Sequence, residues 1–196
     1  MTNTPTRRFR AGAAAVAAMA LAIGGGVLSA TPAGATSASA AITAGSLAFV
    51  STPASVGFSA TLNGTDQTST STATFDVGDA TGSGTGWNIT ATSTTFSTGT
   101  GGNVKLLSTS ASTVQTAPTV ACDTSVTCTT ASNTITFPFV VPAGSNAPTA
   151  QKLYNAASNS GMGNQTVSAS FRLTIPANTY AGTYSSTWTY SLVSAP

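Results

Sequence analysis

The stretch NQTVSASFRLTIP, residues 164–176, alternates without a break. Val167, Ala169, Phe171, Leu173 and Ile175 fall on one parity, and Thr166, Ser168, Ser170, Arg172 and Thr174 on the other. Successive side chains of an extended chain point to opposite faces, so this is a strand with one dry side and one wet side. Pro176 lacks a backbone donor and ends it.

The pattern repeats outward from there. Towards the C-terminus, ANTYAG turns the chain and GTYSSTWTYSL comes next, with Tyr184, Trp188, Tyr190 and Leu192 on one parity. Towards the N-terminus, STATFDV (71–77) sets Ala73, Phe75 and Val77 against hydroxyls, and GWNITATST (86–94) sets Trp87, Ile89 and Ala91 on one side. GSLAFV (45–50) and VGFSATL (56–62) are strand-like, and NGTDQ and GDATGSGTG supply turns. In NTITFPFVV (133–141), Ile135, Phe137, Phe139 and Val141 alternate while Pro138 faces the other way, which predicts an edge strand or a bulge. Only TAQKLYNAAS (149–158) fits a short helix. Many short, half-polar strands predict an all-β domain, an antiparallel β-sandwich of Ig-like or Greek-key style, with a small β-barrel as the runner-up. Residues 36–196 are expected to form one such domain.

The first 35 residues read as an address. Arg7, Arg8 and Arg10 precede an Ala/Gly/Leu-rich run that ends at Ala33-Gly34-Ala35. A basic start, an apolar middle and small residues at the end predict a secretory signal peptide removed near Ala35. The competing membrane anchor is disfavoured by Gly24-Gly25-Gly26 and by the cleavage pattern, so no span is expected after processing. The mature segment keeps Lys105, Lys152 and Arg172 against Asp66, Asp76, Asp79 and Asp123. So balanced a surface offers no counterion-release drive towards nucleic acid. Charged residues are 5% of the chain, and Ser and Thr take their place at roughly a third or more of the mature segment, an unusual bias. The regularly placed aromatic residues argue for a folded core and against a mucin-like stalk.

Cys122 and Cys128, in ACDTSVTCT, are close enough in an exported chain to read as a disulfide closing a small loop. Two thiols and no His make a metal centre a poor alternative. The absence of His also excludes Ser–His–Asp and Cys–His catalysis, and four scattered Asp do not suggest a glycosidase pair. No catalytic residue and no cofactor is expected. Asp76 and Asp79 lie in an oxygen-rich turn that calcium would tolerate, but a plain turn with Asp79 bonding its own backbone is the simpler reading.

The stripe Tyr184–Trp188–Tyr190 has two readings. The apolar face of a half-polar strand normally faces the core. The alternative is an exposed platform, on which Trp87, Trp188, Tyr190 and Tyr184 would be the binding residues. After Leu192 the sequence runs to Pro196 without a sorting motif or apolar tail, so any hold on a cell surface is expected of a folded face.

DATGSGTGWNITATST and LTIPANTYAGTYSSTWTYSL together resemble the two signature regions of the WxL-domain surface proteins of Gram-positive bacteria. Trp87-Asn88-Ile89 stands at the first Trp-x-Leu and Trp188-Thr189-Tyr190 at the second, with Ile89 and Tyr190 in place of Leu. KLYNAASNSGMGNQTVSASFRLTIP also fits that family's path into the penultimate strand. The resemblance implies a secreted, non-catalytic domain at the cell surface that associates non-covalently with wall peptidoglycan or another surface polysaccharide, and with partner surface proteins. PANTYAGTYSSTWTYSL is also similar to the closing strands of pilin-like and spore-coat-like sandwiches, which implies a subunit that assembles by strand pairing.

Overall fold

The computed structural model describes residues 36–99 and 101–195. The expected signal peptide, 1–35, lies outside the described residues. All strands belong to one compact unit, Ala41–Pro196. They are β1 (Leu47–Ser51), β2 (Gln67–Asp79), β3 (Trp87–Thr94), β4 (Ser112–Val114), β5 (Thr119–Cys122), β6 (Phe139–Val140), β7 (Ala143–Gly144), β8 (Gln151–Ala156), β9 (Gly163–Ile175) and β10 (Trp188–Ser194).

The sequence around 164–176 becomes the centre of the larger sheet. Strand β9 pairs along its whole length with β2, from Gln67↔Ile175 to Asp79↔Gly163. Its other edge takes β4 and then β5, and the sheet runs β1-β2-β9-β4-β6 with β5 beside β9. Alternation does what it predicts: Val167, Ala169, Phe171 and Leu173 are buried, with Ala73, Phe75 and Val77 beside them on β2. The outer face pairs Thr74 with Ser168, Thr72 with Ser170, Thr70 with Arg172 and Thr68 with Thr174. A branched Cβ suits the pleat and a hydroxyl faces water, so Thr and Ser occupy the wet face that charged residues cover in most domains.

The smaller sheet is built on β3, with β10 along one edge and β8 and β7 sharing the other. The β3–β7 pairing is parallel, a departure from the all-antiparallel expectation. Trp87, Ile89 and Ala91 are fully buried. The two sheets face each other over a common apolar core, and neither closes on itself. The protein is a β-sandwich and not a barrel.

Three local expectations need correction. TAQKLYNAAS is no helix: its Gln151–Ala156 portion is β8, paired antiparallel with β3. The register slips there, so that Ile89 faces Tyr154 while Thr90 faces Lys152. The extra residue is Leu153, and it and Tyr154 are both buried. A bulge of this kind breaks period two, and the helix-forming composition yields to the ladder. VGFSATL forms no strand either; it crosses an open end of the sandwich, where Phe58 packs on Phe96 and Trp188. NTITFPFVV keeps its alternating burial but pairs only at Phe139–Val140, at the edge of the larger sheet, beside the cis Phe137–Pro138 bond. There the missing N–H of Pro138 costs no ladder bond.

Candidate functional site

The four aromatic candidates occupy three different places. Trp87 is 0% exposed, and its indole N–H donates to the Gly161 carbonyl at 2.9 Å. Tyr154 lies beside it, the ring centroids 6.1 Å apart. Gly161 has φ +82°, and a Cβ there would fall 2.4 Å from the Ala156 Cβ and 2.5 Å from Trp87 Nε1. Only glycine combines that backbone with that proximity.

Trp188 and Tyr190 sit between the sheets. Trp188 meets Phe171 edge-on at 4.9 Å, and Phe96 and Phe58 at 6.4 and 6.5 Å. Tyr190 meets Phe75 edge-on at 4.7 Å. Phe171 and Phe75 come from the larger sheet, so these rings join the two layers, as edge-to-face aromatic pairs do in cores. The Tyr190 hydroxyl is sealed from water and finds no hydrogen-bond partner among the described residues. Burial pushes its ionisation far above the ordinary phenol range. Tyr184 is elsewhere again: it precedes β10, packs beside Phe58, Phe96, Leu107 and Leu173, and donates its hydroxyl to the Tyr180 carbonyl at 3.0 Å.

The aromatic parity of the last strand therefore turns towards the core, while Trp188 and Tyr190 stay half-buried and also line a second open groove with Thr52–Val56 and Ser186. The structure does not bring Trp87, Trp188, Tyr190 and Tyr184 together at one exposed site.

Cys122 and Cys128 are bonded, with Cα atoms 5.6 Å apart. Their loop lies across the start of β9. Asp123 accepts from the Thr166 hydroxyl at 2.8 Å, and Gly163, at φ +87°, would bring a Cβ to 3.0 Å from the Cys128 Cβ. The segment after Cys128 is fixed by the buried Gln165, whose Oε1 accepts from the Ala131 N–H at 2.7 Å. In the same segment the Thr129 carbonyl accepts from the Gly161 N–H at 2.7 Å. Disulfide, Gln165 and the Trp87 anchor thus form one connected support. Sequence reasoning missed Gln165, because a single amide on the core parity of β9 gives no periodic signal.

The Asp76/Asp79 turn does not unite its carboxylates. Asp79 is buried and accepts from the Thr81 N–H and hydroxyl at 3.0 and 2.7 Å, the self-bonded turn expected of it. Asp76, three residues earlier on the strand, points to the other face. Burial first, and then the charge and hydrogen bonding of Asp123, raise its pKa above the usual carboxylate value. Among the described residues no three His, Cys, Asp or Glu side chains gather as metal ligands would.

A groove of about 530 Å³ opens to solvent between the unpaired segment Val56–Leu62 and the turn Thr179–Tyr184. Phe58, Phe96, Leu107, Leu173 and Ile175 line it, and Tyr180 stands at its rim with 64% of its surface exposed. The Lys105 ammonium lies 4.3 Å from the centre of the Tyr180 ring. Lys105 carries no sequence motif, and Tyr180 lies in the signature region LTIPANTYAGTYSSTWTYSL; no spacing in the sequence announces that the two side chains meet.

No curated protein and no solved structure gives a significant match to the chain. The family of WxL surface cell wall-binding domains does match, over residues 37–196, a span that takes in both sheets and both Trp-x-x positions. The chain belongs to the WxL family of cell-surface, cell wall-binding domains.

Proposed function

We propose that the protein is exported, released from residues 1–35 behind Ala35, and held on the wall by non-covalent contact between its folded surface and peptidoglycan. The observation that carries this reading is the family match from residue 37 to residue 196, which leaves no strand of the sandwich outside a wall-binding domain. In this reading Trp87 and Trp188 are internal struts. Their place in the core and between the layers supports that role, and the contact surface lies elsewhere.

The test is co-sedimentation of the exported protein with purified sacculi. The protein is expected to pellet as a monomer, and mass spectrometry is expected to place its N-terminus at Thr36. A protein that stays in the supernatant would overturn the wall reading, and an intact Met1 would overturn the processing.

A second reading, a subunit assembling by strand pairing with its own kind or with another surface protein, is favoured by one observation. Strand β10 pairs with β3 on one side only, so it is an edge of the smaller sheet. Concentration-dependent oligomers in gel filtration, without pelleting on wall, would select it.

A further inference from the structure

We infer that the groove beside Tyr180 and Lys105 is a glycan-binding cleft, in which an N-acetylated glycan strand of the wall stacks a sugar ring on Tyr180 and a carboxylate of its attached stem peptide lies against Lys105. The inference rests on the wall-binding reading and says where, and by what chemistry, the contact is made.

Three features support it. Tyr180 is the one exposed aromatic ring among the described residues; all others are buried or half-buried. A pyranose has an apolar face and a hydroxyl edge, and it needs an exposed ring for the first and polar neighbours for the second. The cleft provides both, since Phe58, Phe96 and Leu173 give an apolar floor suited to an acetamido methyl, while Ser59, Thr179 and Thr183 supply hydroxyls. Its volume of about 530 Å³ lies within the usual range of small-ligand sites.

Lys105 brings a positive charge to this point. Beyond residue 35 the chain has three cations in all, and Lys105 is one of them. Holding its ammonium 4.3 Å from the Tyr180 ring centre places a positive charge at the cleft on an otherwise nearly neutral domain. That arrangement selects an anionic group at one place and does not attract polyanions at large.

Both side chains ride on tied turns. The Tyr184 hydroxyl holds the Tyr180 carbonyl, the Thr179 N–H bonds the Pro176 carbonyl at 3.0 Å, and Asp66 accepts from the Ala177 N–H at 2.9 Å. Beside Tyr180, the Lys105 N–H donates to the Thr98 hydroxyl and the Lys105 carbonyl accepts from the Thr98 N–H, each at 3.0 Å. Little ordering remains to be done when a ligand arrives. A peptide strand is the poorer occupant, because neither wall of the cleft, 56–62 or 179–184, is a strand of either sheet, and strand addition needs a ladder edge.

The experiment measures binding of the exported protein and its variants to purified sacculi, with chitotetraose and a free stem peptide as competitors. Tyr180→Ala is expected to weaken binding at least tenfold while melting within about 1 °C of the parent, as an exposed side chain allows. Tyr180→Trp should restore binding, and Lys105→Gln should weaken it several-fold and flatten its dependence on salt. Chitotetraose should compete. If the parent binds sacculi and both Tyr180→Ala and Lys105→Gln bind equally well, the cleft assignment falls and the wall reading stands. If the stem peptide competes and chitotetraose does not, the glycan assignment falls. If the parent does not bind sacculi at all, both readings fall together.

Discussion

At the scale of single residues, the two tryptophans differ in how they are held. Trp87 is locked by a hydrogen bond and by a glycine with no room for a side chain, so Gly161→Ala attacks it without touching the indole. Positive φ and overpacking together should cost about 2–5 kcal/mol, which in a domain of this size is a fall of about 2–4 °C in Tm for each kcal/mol. A melt unchanged from the parent would show that the Trp87 anchor is not as tight as described. Tyr190 works in the opposite direction. Its hydroxyl is buried without a partner, and an unsatisfied buried donor costs about 1–3 kcal/mol. Tyr190→Phe should therefore leave the protein as stable as the parent or raise its Tm. The proton balance adds a signature. Burial holds the folded phenol protonated at pH values where the unfolded one, with its ordinary value of 10.0, has ionised. The folded state then binds more protons, so this residue's contribution is whole below pH 10.0 and is lost as pH rises beyond it. Tyr190→Phe should unfold less readily in alkali, and equal alkaline melts for the two proteins would contradict this.

At the scale of elements, the disulfide loop is the piece whose removal reports on its neighbours. A loop this short restrains the unfolded chain by about 2 kcal/mol in the chain-entropy picture. Replacing Cys122 and Cys128 by Ser should lower stability by that much, a fall of about 4–8 °C in Tm, and should also speed amide exchange at Gly161 and Ala131, which the loop's continuation holds. Exchange protection unaltered at those amides would separate the loop from the Trp87 anchor. The same scale explains what could be read in advance. Strands β2, β3 and β9 are long enough for period two to repeat, and each shows its buried parity in the sequence. Strands β4, β6 and β7 have two or three residues and no period to show. Strand β8 hid behind Leu153, the bulged residue that puts two neighbouring side chains inward. In residues 56–62 the apolar alternation covers Val56, Phe58, Ala60 and Leu62, but only the first two are half-buried, against the open cleft, and none of this backbone joins a ladder. The cleft itself was illegible for the same reason that loops usually are: its walls come from distant stretches of chain with no shared spacing.

At the scale of the whole molecule, both sheets depend on strands that come late. The larger sheet is organised on β9, whose partner β2 starts almost a hundred residues earlier, and the smaller sheet lacks one edge until β10 is in place. The Trp188 and Tyr190 ring contacts that join the layers come with β10, the strand that carries both residues. Such a topology pairs residues far apart in sequence, which slows folding because loop closure must precede any reward. For a chain that emerges N-terminus first, β1 and β2 can pair early, but the other edge of β2 waits for β9 and one edge of β3 waits for β10. The order of strands in the sandwich thus acts as a timer: the domain cannot close around its core until β9 and β10 have joined it.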